Sequence, residues 1–220
     1  MRVFCKAILA AVCAGLLSAS TFFAAATASA AEDEIRILAL GDSLTQGFGL
    51  ANGDEFPAQL ERSLRDDGLN VEVINGGVSG DTSAGGLARL DWSLGDNPDA
   101  VIVELGGNDA LRGLSPAQTQ QNLDAILTRL SEEGIPVLLA GMLSPRNMGS
   151  GYTEEFDSLY RRVAEEHGVL FYPFFLDGVA LDPELMQRDG THANAEGVAE
   201  IVRRLKPLVL ELIGQIEAPA

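Results

Sequence analysis

Beyond residue 30 the chain holds two histidines, His167 and His192, and no cysteine. A nucleophile activated near neutral pH would then be a hydroxyl, with one of these imidazoles taking its proton. His167 lies in Glu165-Glu166-His167-Gly168 at a predicted helix end, where an imidazolium favours the dipole, and reads as structural. His192 stands three residues after Asp189, a spacing that lets a turn bring the carboxylate to Nδ1 and fix the tautomer. The hydroxyl that answers it is Ser43, in Gly41-Asp42-Ser43-Leu44. Asn108, in Gly106-Gly107-Asn108-Asp109, carries an amide able to donate into a cleft. A backbone N–H from Gly80 and the amide of Ser43 itself would complete a three-donor hole for an oxyanion. Each loop also has a plain reading: a helix-capping turn at Asp189-Gly190-Thr191-His192, tight turns at Gly76, Gly77 and Gly80, and a turn residue at Asn108. Four loops that fit one mechanism outweigh four separate accidents.

These residues must be brought together by the elements between them. Apolar runs rich in β-branched residues at 35–40, 71–74, 100–105, 136–140 and 169–174 predict five buried strands. Segments of helical spacing at 56–69, 86–94, 116–133, 153–166 and 195–213 alternate with them. Ser115-Pro116 marks a helix start, and Gly68 and Gly134 fall where helices should stop. The alternation implies right-handed crossovers and an α/β fold whose parallel sheet is covered on both faces. Ligands of such sheets sit beyond the carboxyl ends of the strands, which is where the loops carrying Ser43, Gly80, Asn108 and His192 fall. Trp92, on the 86–94 helix, reads as core, Asp42 as a loop-holding carboxylate, and Arg89 and Arg112 as solvated surface cations.

The chain has 220 residues, 46% hydrophobic and 21% charged, with a net charge of −17. This is globular composition, and the charge argues against nucleic-acid or anionic-membrane partners. Residues 1–30 read as a secretory signal peptide: Arg2 and Lys6, an apolar run at 7–17 too short to span a bilayer, then Ala28-Ser29-Ala30, predicting cleavage before Ala31. A lipid-modified Cys13 is the rival reading, set against by the Ala10-Ala11-Val12 before it. The mature chain, 31–220, would be one domain with 13 basic and 32 acidic residues, a net charge of −19, and no thiol. It is expected to be periplasmic or secreted, without a stable membrane anchor, and to act as a monomer.

Taken together, Gly41-Asp42-Ser43-Leu44, Gly80 within Gly77-Val78-Ser79-Gly80-Asp81-Thr82, Gly106-Gly107-Asn108-Asp109 and Asp189-Gly190-Thr191-His192 resemble, in order and spacing, the four blocks of the SGNH hydrolases of GDSL type. The likeness covers residues 36 to 200 and is strongest toward the small periplasmic members with thioesterase, lysophospholipase and arylesterase activity. It implies a flavodoxin-like three-layer α/β/α sandwich and no cofactor or metal. Ser43 would be the nucleophile, His192 the base and Asp189 its orienter, with Ser43, Gly80 and Asn108 as oxyanion donors. The stretch from Met142 to Tyr152 resembles the family's substrate-contacting loop, with Met142, Leu143, Pro145, Met148 and Tyr152 as flexible apolar surface. One departure is Ala193, where the family often has proline, which leaves the stiffness of the histidine loop to be accounted for.

The expected reaction is hydrolysis of a small ester or thioester through an acyl-enzyme. Lysophospholipid, fatty-acyl or aryl esters suit an exported acidic protein better than coenzyme A thioesters. A carbohydrate acetyl esterase would use the same site, and a non-catalytic binding module would keep Ser43 and His192 apart. A metal-dependent hydrolase is the weakest rival, since one site histidine without cysteine is a poor ligand set.

Overall fold

The computed structural model describes residues 34–217. The predicted export tag at 1–30 and its cleavage point before Ala31 lie outside the described residues. Five strands, β1 (Ile35–Gly41), β2 (Val71–Gly77), β3 (Ala100–Glu104), β4 (Val137–Ala140) and β5 (Leu170–Tyr172), form one sheet in the order β2-β1-β3-β4-β5. All four pairings are parallel. Every residue of β3 is buried, which is why Ala100-Val101-Ile102-Val103 shows no polar alternation: both of its faces meet helices.

The helices are α1 (Ser43–Gln46), α2 (Phe56–Asp66), α3 (Ser83–Ala88), α4 (Leu90–Leu94), α5 (Gly107–Leu111), α6 (Pro116–Glu132), α7 (Ser150–His167) and α8 (Ala195–Glu217). α2 packs on α8, while α6 packs on α3 and α7. Because β1-α2-β2 winds one way along the sheet and β3-α6-β4-α7-β5 the other, right-handed crossovers set these two groups on opposite faces. The result is a three-layer α/β/α sandwich. α2, α6 and α7 end alike: a glycine (Gly68, Gly134, Gly168) takes a left-handed conformation, and the next residue (Leu69, Ile135, Val169) bonds back to the carbonyl of Leu64, Leu130 or Ala164. Each of those three apolar residues packs against the core, so the stop signal also aims the chain at the following strand.

The sheet's register sets the site. Gly41 pairs with both Gly77 and Glu104, so β1, β2 and β3 end level at one edge. Strand order reverses between β1 and β3, which opens a crevice beyond their carboxyl ends.

The structure departs from the sequence reading around residues 83–94. The single helix expected there is two, α3 and α4, broken at Arg89. Trp92 is 81% exposed rather than core, because Leu90 and Ser93 occupy the buried side of the five-residue α4. The short helices α1 and α5, which the periodicity did not suggest, start directly beyond β1 and β3 and carry Ser43 and Asn108.

Candidate active site

Asp42 caps α1, its Oδ1 accepting the Leu44 N–H at 2.9 Å, and this fixes the turn on which Ser43 is the first helical residue. Ser43 Oγ lies 2.8 Å from His192 Nε2, and His192 Nδ1 lies 2.7 Å from Asp189 Oδ2. The other oxygen, Asp189 Oδ1, accepts the backbone N–H groups of Thr191 (2.9 Å) and His192 (3.0 Å). The Thr191 N–H, the His192 ring and the His192 N–H together hold Asp189 down at about 2, so it is a carboxylate wherever an imidazole is a useful base. A carboxylate only accepts, so Nδ1 carries the ring proton and Nε2 is left to accept from Ser43. His167 takes no part: it ends α7, 3.3 Å from Asp124, and does not line the cavity.

Gly80 lines the cavity, its carbonyl held by Arg112 Nη2 at 2.7 Å, and among the described residues its N–H has no partner. The Ser43 N–H, at the first position of α1, has no intrahelical acceptor. Asn108 differs from the sequence picture of an amide aimed into the cleft. Its Nδ2 donates to Asp42 Oδ2 (2.8 Å) and to Asp81 O (2.9 Å), which commits both of its hydrogens.

Behind the serine turn lie two carboxyl groups. Asp42 is 2% exposed, and burial pushes it up to about 6 against the pull of the Leu44 N–H and the Asn108 amide. Glu104, at the end of β3, is raised well above the ordinary carboxyl value by burial and by Asp42 beside it. Glu104 Oε2 accepts from Thr45 Oγ1 at 2.8 Å and from the Asp42 N–H at 3.4 Å, while Oε1 has no partner among the described residues.

Arg89 is a strut rather than a solvated cation: its side chain is 17% exposed, with Nε 2.6 Å from Asp81 Oδ2 and Nη2 2.8 Å from Gly41 O. It ties the loop after β2 to the end of β1. Arg89 is also the residue at which α3 gives way to α4.

A cavity of about 600 Å³ opens from Ser43 and His192. Met142, Leu143 and Pro145 line it, as read from the sequence; Met148 and Tyr152 do not. Tyr152 turns away because its ring stacks on Phe156 and its hydroxyl donates to Leu114 O at 2.9 Å. Met148 closes the 3-10 turn Arg146–Met148 and sits next to Gly113. The rest of the apolar wall was missed: Phe174, Leu176, Ala180, Leu181 and Met186, all between β5 and α8, with Leu44 on α1, Phe48 just beyond it and Leu111 at the end of α5. The signal lay in length. Residues 173–194 form a connection without regular elements in a chain whose other loops are short, and such loops usually serve function.

Comparison with known proteins bears on this arrangement. The profile of the GDSL-like lipase/acylhydrolase family matches residues 39–199. The chain belongs to this family. It is 40% identical over 178 residues to esterase TesA of Pseudomonas aeruginosa, covering 80% of this chain and 89% of that one. It is 40% identical over 178 residues to thioesterase 1/protease 1/lysophospholipase L1 of Escherichia coli K12, covering 79% and 84%. The crystal structure of AlinE4, an SGNH-hydrolase family esterase, matches with a TM-score of 0.70 at 46% identity, covering 86% of this chain and 98% of that one. This GDSL hydrolase is therefore an ester or thioester hydrolase on the α/β/α fold of its relatives.

Proposed function

We propose that this enzyme hydrolyses esters or thioesters of medium or long acyl chains through an acyl-enzyme on Ser43. The supporting observation is the Ser43–His192–Asp189 row, with contacts of 2.8 and 2.7 Å, at the end of a mostly apolar cavity of about 600 Å³. Ser43 Oγ attacks the carbonyl carbon as its proton passes to His192 Nε2, and the carbonyl π pair becomes the oxyanion. His192 then returns the proton to the departing alcohol or thiol as the acyl bond to it breaks. Water, deprotonated by the same imidazole, releases the acid and restores the serine. The oxyanion faces the N–H groups of Ser43 and Gly80, and Asn108 joins them by turning one hydrogen from Asp42 or Asp81 toward the new charge.

The acyl chain lies along Met142, Leu143, Pro145 and the wall from Phe174 to Met186. An apolar lining favours such a chain over an acetyl group on a sugar. Its volume is that of pockets which enclose a small organic ligand, roughly 300–1,000 Å³. No cofactor or metal enters these steps. The protein acts as a monomer on small esters after export, with the signal peptide removed before Ala31 and the mature enzyme periplasmic or secreted. The deciding experiment is hydrolysis of p-nitrophenyl esters of rising chain length by wild type and Ser43→Ala. Activity should peak at medium or long chains and vanish in the variant; acetyl-only activity would give the carbohydrate esterase reading instead, and an active variant would remove Ser43 from the reaction.

A further inference from the structure

The contact between Ser43 and His192 joins positions 149 residues apart. A second set of bonds crosses the same gap. The Phe48 N–H donates to the carbonyl of Ser43 at 3.1 Å. The Phe48 carbonyl accepts from Gln187 Nε2 at 2.7 Å, and the other Nε2 hydrogen goes to Ala193 O at 2.9 Å. The Gln187 backbone N–H donates to the carbonyl of His192 at 2.7 Å. An unbroken path of main-chain and amide groups thus runs from Ser43 through Phe48 and Gln187 to His192, independent of the reactive side chains. Two further features fit it. The Phe48 ring packs on the His192 ring with centroids 4.7 Å apart. At Gly49, φ is +76° and a Cβ would lie 2.4 Å from Gln187 Oε1, so only glycine leaves room for the amide.

We propose that Gln187 is a positioning residue whose side-chain amide sets the separation of Ser43 Oγ and His192 Nε2. This rests on reading Ser43 and His192 as nucleophile and base. Gln187 does not line the cavity and touches neither reacting atom. It acts by closing the histidine loop on itself at Ala193 and by tying that loop to the segment after α1. Without the amide, the Phe48 carbonyl, which faces solvent, turns to water at small cost in stability. The histidine loop is then held to the nucleophile side by the Phe48–His192 ring packing and by Gln59 Nε2, which donates to Ala195 O at 2.9 Å, and neither bonds to residues 187–193 through a backbone group. Proton transfer is steep in distance, and a misplacement of about 1 Å can cost on the order of 100-fold in rate.

The test compares wild type, Gln187→Glu, Gln187→Ala and Gly49→Ala. Glutamate keeps the shape but offers acceptors where two donors were; alanine at 49 displaces the amide without altering it. On a p-nitrophenyl ester, each variant should lose about 10- to 100-fold in kcat with KM within about twofold, since orientation rather than ground-state binding is lost. Proton NMR of His192 gives a reading that does not need turnover: the low-field Nδ1–H signal from the bond to Asp189 should be sharp in wild type and exchange-broadened in the variants. Unchanged kcat and an unchanged signal in folded variants would overturn the proposal, as would a rise in KM alone. If Gln187→Glu does not fold, Gly49→Ala decides by the same two readings. A wild type that hydrolyses no ester, with the signal still broadened in the variants, would sink the acyl-hydrolase reading and leave the clamp standing.

Discussion

Asn108 illustrates how much of a site depends on where individual hydrogens point. Its two N–H groups are committed to Asp42 and Asp81 in the resting protein, so the oxyanion role proposed for it requires a change of partner rather than a new bond. Asn108→Ala should lower kcat by about 10²–10³ with little change in KM, measured on a soluble aryl ester. Asp42 gives a prediction in stability instead. Its folded value of about 6 lies above the ordinary carboxyl value, so the native state binds its proton more tightly than the unfolded chain does. That contribution is whole below about pH 4 and is lost as pH rises through about 6. Asp42→Asn removes the titration, so the melting temperature of wild type relative to the variant should fall between pH 5 and pH 7. A constant difference across that range would contradict the burial of an ionising group at 42. The types and spacing of Ser43, Asp189 and His192 were legible in the sequence because the chemistry demands those side chains. The partners of the Asn108 amide were not, since they depend on an aspartate 66 positions away.

At the scale of elements, what the sequence showed follows how local each cause is. The strands were legible because burial on both faces leaves an apolar run, and helix stops at Gly68 and Gly134 because a left-handed residue is a local need. The division of α3 from α4 at Arg89 was not, since the helical spacing of apolar residues runs on through it and the contacts Arg89 makes with Asp81 and Gly41 O leave no mark on that spacing. Trp92 was misplaced for the same reason: the broken helix presents a different face. α3 is fastened from beneath by a buried polar cluster. Asp109 accepts from the Ser83 N–H (2.8 Å), Ser83 Oγ (2.5 Å) and Thr119 Oγ1 (3.1 Å), and Asn122 Nδ2 donates to Ser83 Oγ at 2.8 Å. Ser83→Ala leaves the Asn122 donor unpaired and removes one of the two bonds to Asp109 Oδ1, and should cost about 1–3 kcal/mol in denaturant unfolding. Ile102→Ala, in the middle of fully buried β3, should cost about 2–5 kcal/mol by the same measurement. The long connection at 173–194 was visible only as a gap in periodicity, and its role as cavity wall required coordinates.

For the whole molecule, charge and topology govern behaviour. A net charge of −17 works against association with polyanions, and among the described residues no helix is long and apolar enough to cross a membrane. A serine mechanism with an imidazole base should keep its full rate after prolonged treatment with a chelator, checked by turnover before and after dialysis; loss restored by a divalent ion would require a different chemistry. The fold class was readable because alternating strands and helices admit few topologies. Which loops meet was readable only through the rule that parallel sheets work at their carboxyl ends. Ser43 follows the first strand, whereas His192 immediately precedes the final helix. A chain emerging amino end first therefore displays its serine long before its histidine exists in space. No partly synthesised chain holds both ends of the Ser43–His192 contact, which waits until synthesis has reached the start of α8.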